Sequence, residues 1–263
     1  MDTKKTKVPA LSKALLIMDL LIEKGGELHA AEIASILHLP KSTVHGLLHT
    51  LTAHNVLKKN NDQRYQLGPH VIQWAHGFLA GQDIVTAFQE EVVKLRGFDN
   101  YTLTMSVREK KEVVYLACKN SEAPLGFNFR LGMKLPAAFT STGKAMLSDL
   151  SDDEIVALYA DGWPAKMTKN SVDSLEALME EILAVRRQGY SIDNGQIMEG
   201  MYCIGKSIKN ETGTSVAAIA ISLAKEYFCT TKALELAHWL EELVHRLEAS
   251  MGFKKLNTLN LSR

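Results

Sequence analysis

Apolar residues Leu11, Leu15, Met18 and Leu21/Ile22 recur at helical spacing, and Gly25-Gly26 stops the run. Ser12 reads as the N-cap of that helix. A short second helix is expected over Ala30–Leu37, with Ile33, Ile36 and Leu37 on one face. Leu39-Pro40 then closes one element and opens the next, because proline suits a first helical turn. Over Lys41–His54 the residues Val44, Leu47, Leu48 and Leu51 form one buried stripe, and Ser42, His45, Gly46 and His49 occupy the opposite face. Two short strands, Val56–Lys59 and Arg64–Leu67, flank the turn-forming Asn60-Asn61-Asp62. Three helices and a hairpin outline a winged helix-turn-helix domain over residues 1–68.

Beyond it the pattern stays helical through residues 69–97, broken by Gly77 and Gly81. This predicts a linker helix over 69–82 and the first helix of a second domain spanning 83–252. From Tyr101 the period shortens. Strands are expected at Tyr101–Arg108 and Glu112–Lys119 around a Glu109-Lys110-Lys111 turn, and again near Leu125–Arg130, Met201–Lys209 and Ser215–Leu223. Helices are expected at Thr142–Asp149, Asp152–Asp161, Ser171–Gln188 and Thr230–Met251. Segregated helices and antiparallel strands imply an α+β fold. Residues 253–263 lack periodicity and read as a tail.

With 46% hydrophobic and 23% charged residues, the 263-residue chain can build cores and is neither disordered nor fibrous. Thirty basic and thirty acidic residues cancel, yet their placement is uneven. Residues 1–80 hold nine Lys/Arg against six Asp/Glu (+3), so residues 81–263 hold twenty-one against twenty-four (−3). Seven of the nine histidines also fall in the first 80 residues. The first part therefore favours phosphate. Cys118, Cys203 and Cys229 are dispersed and odd in number, which argues against a disulfide framework. The longest apolar run, Val216–Ile221, is too short to span a bilayer, and the polar N-terminus has no signal-peptide core. A cytoplasmic protein is expected.

A recognition helix needs short polar side chains in its N-terminal half. Lys41, Ser42 and Thr43 suit phosphate, His45 and His49 can reach base edges, and Lys58, Lys59 and Arg64 on the hairpin suit phosphates beside the groove. The alternative for this face is plain solvation. A His45/His49 metal site lacks a third ligand at suitable spacing.

The run Ala34–His45 and the later Tyr65-Gln66-Leu67-Gly68 resemble the IclR family of bacterial transcriptional regulators. So do Arg130–Pro136 with Thr140–Ala145, Gly189–Asp193 and Glu199–Ile204. The resemblance covers residues 10–250 and implies a GAF-like effector-binding domain that takes small organic acids or aromatic metabolites. Carried over, the pocket uses backbone groups of Ser141 and Thr142, with Asp193, Cys203 and Ser222 around the ligand and Phe127 and Met201 as apolar walls. A helix N-terminus after Thr140 agrees with an anion. Taken singly, Cys203 suits a small core position, Asp193 a turn cap and Ser222 a space-filler. Two positions depart from the family. Gly46 stands where arginine is common, which removes a contact and costs up to ~1 kcal/mol of helix propensity. Ala220 stands where some members carry a first serine before that of Ser222.

The expected function is a dimeric or tetrameric repressor of double-stranded operator DNA, released or recruited by a small, carboxylate-type effector. No cofactor or metal is expected. Two rivals are an interaction module whose helix-turn-helix contacts protein, and a serine hydrolase built on Ser141-x-x-Lys144. The latter lacks the companion Ser-Asp-Asn and Lys-Thr-Gly motifs, and the resemblance of Thr140–Lys144 to a P-loop fails because the first glycine is missing.

Overall fold

The computed structural model describes residues 7–80, 83–95, 98–122 and 127–252. The chain divides into two compact units, Met1–Gly81 and Gln82–Arg263.

In the first unit, α1 (Pro9–Glu23), α2 (Ala30–Ile36) and α3 (Lys41–Ala53) precede a hairpin of β1 (Leu57–Lys59) and β2 (Tyr65–Leu67), and α4 (His70–Ala80) follows. Ile17, Leu21, Ile33, Val44, Leu48 and Leu57 form the buried core. The α3 stripe is buried at Val44 and Leu48, but α1 is turned: it buries Ala14, Ile17, Leu20 and Leu21, while Leu11, Leu15 and Ile22 of the expected stripe, and Ile36 of α2, are exposed. α1 starts three residues before Ser12, with Val8 as N-cap, because Pro9 presets the first turn and has no N–H to leave orphaned. At the start of α2, the His29 backbone N–H donates to Glu32 Oε2 at 2.6 Å in a capping box. His38 adopts φ 52° in the turn that leads to α3. The wing pairs Leu57 with Leu67 and Lys59 with Tyr65.

The second unit contains α5 (Asp83–Lys94), β3 (Thr102–Glu109), β4 (Glu112–Lys119), β5 (Lys134–Pro136), α6 (Ser141–Leu147), α7 (Asp152–Tyr159) and α8 (Leu175–Gln188). After these come β6 (Ser191–Asn194), β7 (Met201–Lys209), β8 (Ser215–Ala224) and α9 (Thr230–Ser250). The strands form one antiparallel sheet ordered β5-β4-β3-β8-β7-β6. Helices and an antiparallel sheet in this arrangement make the fold α+β.

Three expectations change. Of the strand expected near Leu125–Arg130, residues 125–126 lie outside the described residues and 127–130 are irregular. One sheet edge is instead β5, and the other is β6. α8 begins at Leu175 with Ser174 as N-cap, because Ser171 is occupied elsewhere. The Ser171 hydroxyl accepts from the N–H groups of Met167 and Thr168 and donates to the Gln196 carbonyl. The expected tail at 253–263 lies outside the described residues.

The sheet's two faces differ in chemistry. Leu103, Met105, Ile204, Ile219 and Ile221 point to one side, against α5 and α9. In the opposite phase stand Thr102, Thr104, Ser106, Ala218, Ala220, Ser222, Cys203 and Asp193, on the side covered by α6.

Candidate functional site

The outward face of α3 carries the residues that the sequence pattern assigns to DNA. Val44 and Leu48 are fully buried, which turns Lys41, Ser42, His45, Gly46 and His49 to solvent and leaves Thr43 half-buried. Pro40 is the N-cap and provides no side-chain cap, so the first N–H groups of α3 remain open to a phosphate. His45, Gly46, His49, Thr52 and Ala53 line a groove closed on its other side by Lys59 and Tyr65 of the wing. The Lys59 ammonium lies 5.4 Å from the Tyr65 ring centroid, and Lys58 is exposed beside it. Arg64 is differently engaged. Its guanidinium donates to the Glu27 carbonyl at 3.3 Å and lies 3.6 Å from Glu32 Oε2, so it ties the wing to the start of α2.

In the second unit the cross-strand register places Asp193, Cys203, Ser222 and Thr102 in one row. The next row on the same face is Ser191, Gly205, Ala220, Thr104 and Cys118. α6 crosses above it. A Cβ on Gly205 would lie 2.7 Å from the Ser141 carbonyl carbon, and one on Gly143 would lie 2.2 Å from the Ala137 oxygen. Glycine at both positions therefore lets α6 seat directly on the sheet. The Ser191 hydroxyl donates to the Ser141 carbonyl at 2.5 Å, pinning that seat. Thr140 is the N-cap of α6, its hydroxyl accepting from the Gly143 N–H at 3.0 Å. The Ser141 and Thr142 N–H groups find no protein acceptor among the described residues.

Every effector-site residue carried over by resemblance falls in this region. Ser141, Thr142, Asp193, Met201, Cys203 and Ser222 are buried, and Phe127 is half-buried. Phe127 and Phe129 meet edge to face at 5.0 Å, and Phe129 touches Tyr115 at the same centroid distance. Asn120 clamps this segment by exchanging two hydrogen bonds of 3.2 Å with the Phe129 backbone. The Thr142 and Ser222 hydroxyls have no well-formed hydrogen bond, although they lie beside the Tyr115 phenol and the Cys203 thiol respectively. Unpaired buried hydroxyls are uncommon and mark where a ligand's polar atoms can be received.

Asp193 is 1% exposed, and burial raises its pKa to about 6. The nearby Lys144 charge and the Gln196 N–H, which donates at 2.6 Å, oppose that rise. Burial, then the Asp193 charge, pushes the Cys203 thiol well above its ordinary value. Four participants were not assigned to this site from the sequence. Lys144 is wholly buried and its ammonium donates to Glu181 at 2.7 Å, while the Gln196 side chain donates to the other Glu181 oxygen at 2.7 Å. Tyr115 is the fourth, facing Thr142. Only the phase match of Thr102, Thr104 and Ser106 with Ala218, Ala220 and Ser222 hinted that a polar sheet face lay inside.

Known proteins share this arrangement. A family profile described as Bacterial transcriptional regulator IclR C-terminal matches residues 76–249, and one described as IclR helix-turn-helix domain matches residues 10–61. The HTH-type transcriptional regulator XynR of Escherichia coli K12 is 27% identical over 238 residues, covering 90% of this chain and 93% of its own. The repressor BlcR of Agobacterium tumefaciens has a crystal structure 42% identical to this chain, with a TM-score of 0.63 over 95% of this chain and 99% of that one. An IclR homologue from Microbacterium hydrocarbonoxydans, crystallised with 4-hydroxybenzoate, shares the fold at a TM-score of 0.78 and 19% identity, over 93% and 100% of the two chains. The helix-turn-helix unit with its open recognition face, joined to a unit with a buried polar sheet face, is thus that of a DNA-binding transcriptional regulator, and the chain belongs to the IclR family.

Proposed function

We propose that this regulator is a cytoplasmic repressor whose second unit binds a small carboxylic acid and thereby changes operator occupancy. The observation that carries the effector half is the group of buried, unpartnered hydroxyls of Thr142 and Ser222 beside Asp193 and Cys203. The ligand's polar atoms meet these groups and the free N–H groups of Ser141 and Thr142, while Phe127 and Met201 wall its carbon skeleton. An anionic ligand enters with Asp193 protonated, since two adjacent carboxylates share one proton more easily than they coexist. The 4-hydroxybenzoate bound by the Microbacterium relative supports an acid as the ligand type.

On DNA, Lys41, Ser42 and Thr43 take phosphates at the start of α3, His45 and His49 face base edges, and Lys58 and Lys59 take phosphates from the wing. Arg64 acts mainly by fixing the wing's angle. A pseudo-palindromic operator calls for two copies of the chain. The apolar residues left open on α1 (Val8, Leu11, Leu15, Ile22) and α4 (Ile72, Trp74, Phe78) suit contact with a second copy. The Ser141-x-x-Lys144 pair has no enzymatic task here, because Lys144 is committed to Glu181.

The test is a thermal-shift screen of the full chain against small aliphatic, sugar and aromatic acids, followed by binding to DNA upstream of its own gene. An acid at a hundred times its Kd adds ~2.7 kcal/mol to the folded state. The reading fails if no acid shifts the transition, or if DNA binding lacks a steep salt dependence.

A further inference from the structure

The helical layers on the two faces of the second unit's sheet approach each other around one end of it. A cleft of about 380 Å³ opens there, between the ends of α6 and α8 on one side and the later turns of α9 on the other. β6 begins at Ser191, opposite Gly205, so β7 beyond Gly205 lines this cleft with no described strand paired to it on that side. The β7–β8 ladder then skips Val216 and ends on the pair Lys209 and Ser215. Both members of that pair hold Asp149, just past the end of α6. The Lys209 ammonium lies 2.6 Å from Asp149 Oδ1, and the Ser215 hydroxyl donates to Oδ2. The Lys209 backbone N–H donates in turn to Glu248 of α9 at 3.0 Å. Lys209 thus meets the end of α6 with its side chain and α9 with its main chain.

Stability does not account for this arrangement. A carboxylate is unfavourable at a helix C-terminus, where the dipole is already negative. An ion pair whose lysine side chain is 44% exposed adds little to the fold. The contacts do complete a continuous path. Ser141 and Thr142 open α6, and all seven residues of that helix are buried, so a displacement of its first turn is passed along a close-packed rod to Asp149, about 12 Å away. On the far side of the sheet, Arg246 of α9 donates to Glu91 of α5 at 2.8 Å. α5 is the first element of the second unit and follows α4 in the chain. We propose that Lys209 is the positioning residue that carries the effector's signal around the sheet, from α6 to α9 and through Glu91 to the helix that follows the DNA-binding unit. This rests on the effector reading above. A residue of this kind touches neither ligand, and its loss removes the coupling between two binding events without removing either event. Lys206 supplies the contrast. Its ammonium also bridges the layers, from the Gly189 carbonyl at 3.0 Å to Glu241 at 3.5 Å, but it meets the end of α8 instead of α6.

The experiment measures the affinity of the full-length chain for DNA upstream of its own gene, with and without saturating acetate, succinate or 4-hydroxybenzoate. Calorimetry gives the affinity for the same acid in the absence of DNA. In the wild type at least one acid should change operator affinity by about fivefold or more. Lys209→Met and Glu248→Ala cut the two halves of the link, and each should bring that factor close to one. In both variants the acid-free operator affinity and the DNA-free acid affinity should stay within about twofold of wild type. Lys209→Arg keeps a charge for Asp149 and should retain most of the response, and Lys206→Met should retain all of it. A purely structural ion pair would lower the melting temperature and leave the factor unchanged. A full response in Lys209→Met overturns the proposal, and so does an equal loss in Lys206→Met. In either case the effector reading stands, because the wild type responds. If none of the three acids alters operator binding by the wild type, the proposal falls together with that reading.

Discussion

Replacing Asp193 by asparagine tests whether the pocket floor stores an electrostatic cost in the absence of effector. The carboxyl is nearly inaccessible, and burial lifts its pKa from 3.8 to about 6. A rise of that size corresponds to ~3 kcal/mol between the charged and neutral forms. The sign follows from proton counting. Between the unfolded and folded values the native state binds more protons, so stability falls as pH rises from about 4 to about 6 and then levels off. Asp193→Asn has nearly the shape of the protonated acid and keeps an oxygen for the Gln196 N–H. The variant should match the wild type below pH 4 and exceed it by up to ~3 kcal/mol at pH 7.

The assay is urea denaturation from pH 4 to 8 in a Trp74→Phe background, where emission reports Trp163 and Trp239 of the second unit. Taking the difference between variant and wild type cancels the exposed carboxylates. Glu109, Asp161 and Asp173, for example, are held low by Lys134, Lys111 and Lys166 and lose stability in acid instead. A difference independent of pH, or a variant less stable than wild type at pH 7, would refute the reasoning.

Four further outcomes follow from the same coordinates. Binding of an acid effector should strengthen as pH falls through about 6, because Asp193 must be protonated beside it; calorimetry in buffers of different ionisation enthalpy should detect net proton uptake, and its absence contradicts the shared-proton arrangement. Gly46→Arg meets open space at Cβ, so it should add up to ~1 kcal/mol of helix propensity and steepen the salt dependence of operator binding by about one unit in a log–log plot. Gly205→Ala should displace α6 from the sheet and abolish the response to effector while operator binding persists, read by paired binding and release assays. Of the buried pair, Glu181→Leu should cost more than Lys144→Met, about 3–5 kcal/mol, since it strands a wholly buried ammonium whereas Glu181 keeps a side-chain exposure of 34%; the double variant should cost less than the sum.

Local pattern carried the elements of the first unit and the face of α3, but not that of α1, where Leu11, Leu15 and Ile22 turn outward and Ile17 and Leu20 turn in. Val44 and Leu48 on one face of α3 oblige Lys41, His45, Gly46 and His49 to face outward, and no distant contact is needed to reach that conclusion. The α+β character of the second unit was equally legible, because period-2 and period-3.6 runs are properties of short windows. Edge strands were not. β5 has only three residues and β6 only four, and both exist because a neighbouring strand offers them a register. Arg64 is placed in the sequence by charge alone, and its contacts with the Glu27 carbonyl and the Glu32 carboxylate exist only in the fold.

The pocket divides along the same line. Resemblance supplied Ser141, Asp193, Cys203 and Ser222 one at a time, but the row they form depends on pairings across β6, β7 and β8. An alternating Thr-Leu-Thr-Met-Ser strand ordinarily turns its hydroxyls to water. Here both sheet faces are covered, and Thr104 is enclosed as fully as Leu103. Lys144 carries no sign in the sequence that it is buried, since its enclosure requires Glu181, thirty-seven residues away, to arrive at 2.7 Å. Helical and strand periodicity belong to the covalent chain and its immediate neighbours. Which polar groups lose water, and which partners meet them there, depends on segments far apart in sequence, so only the tertiary structure decided it.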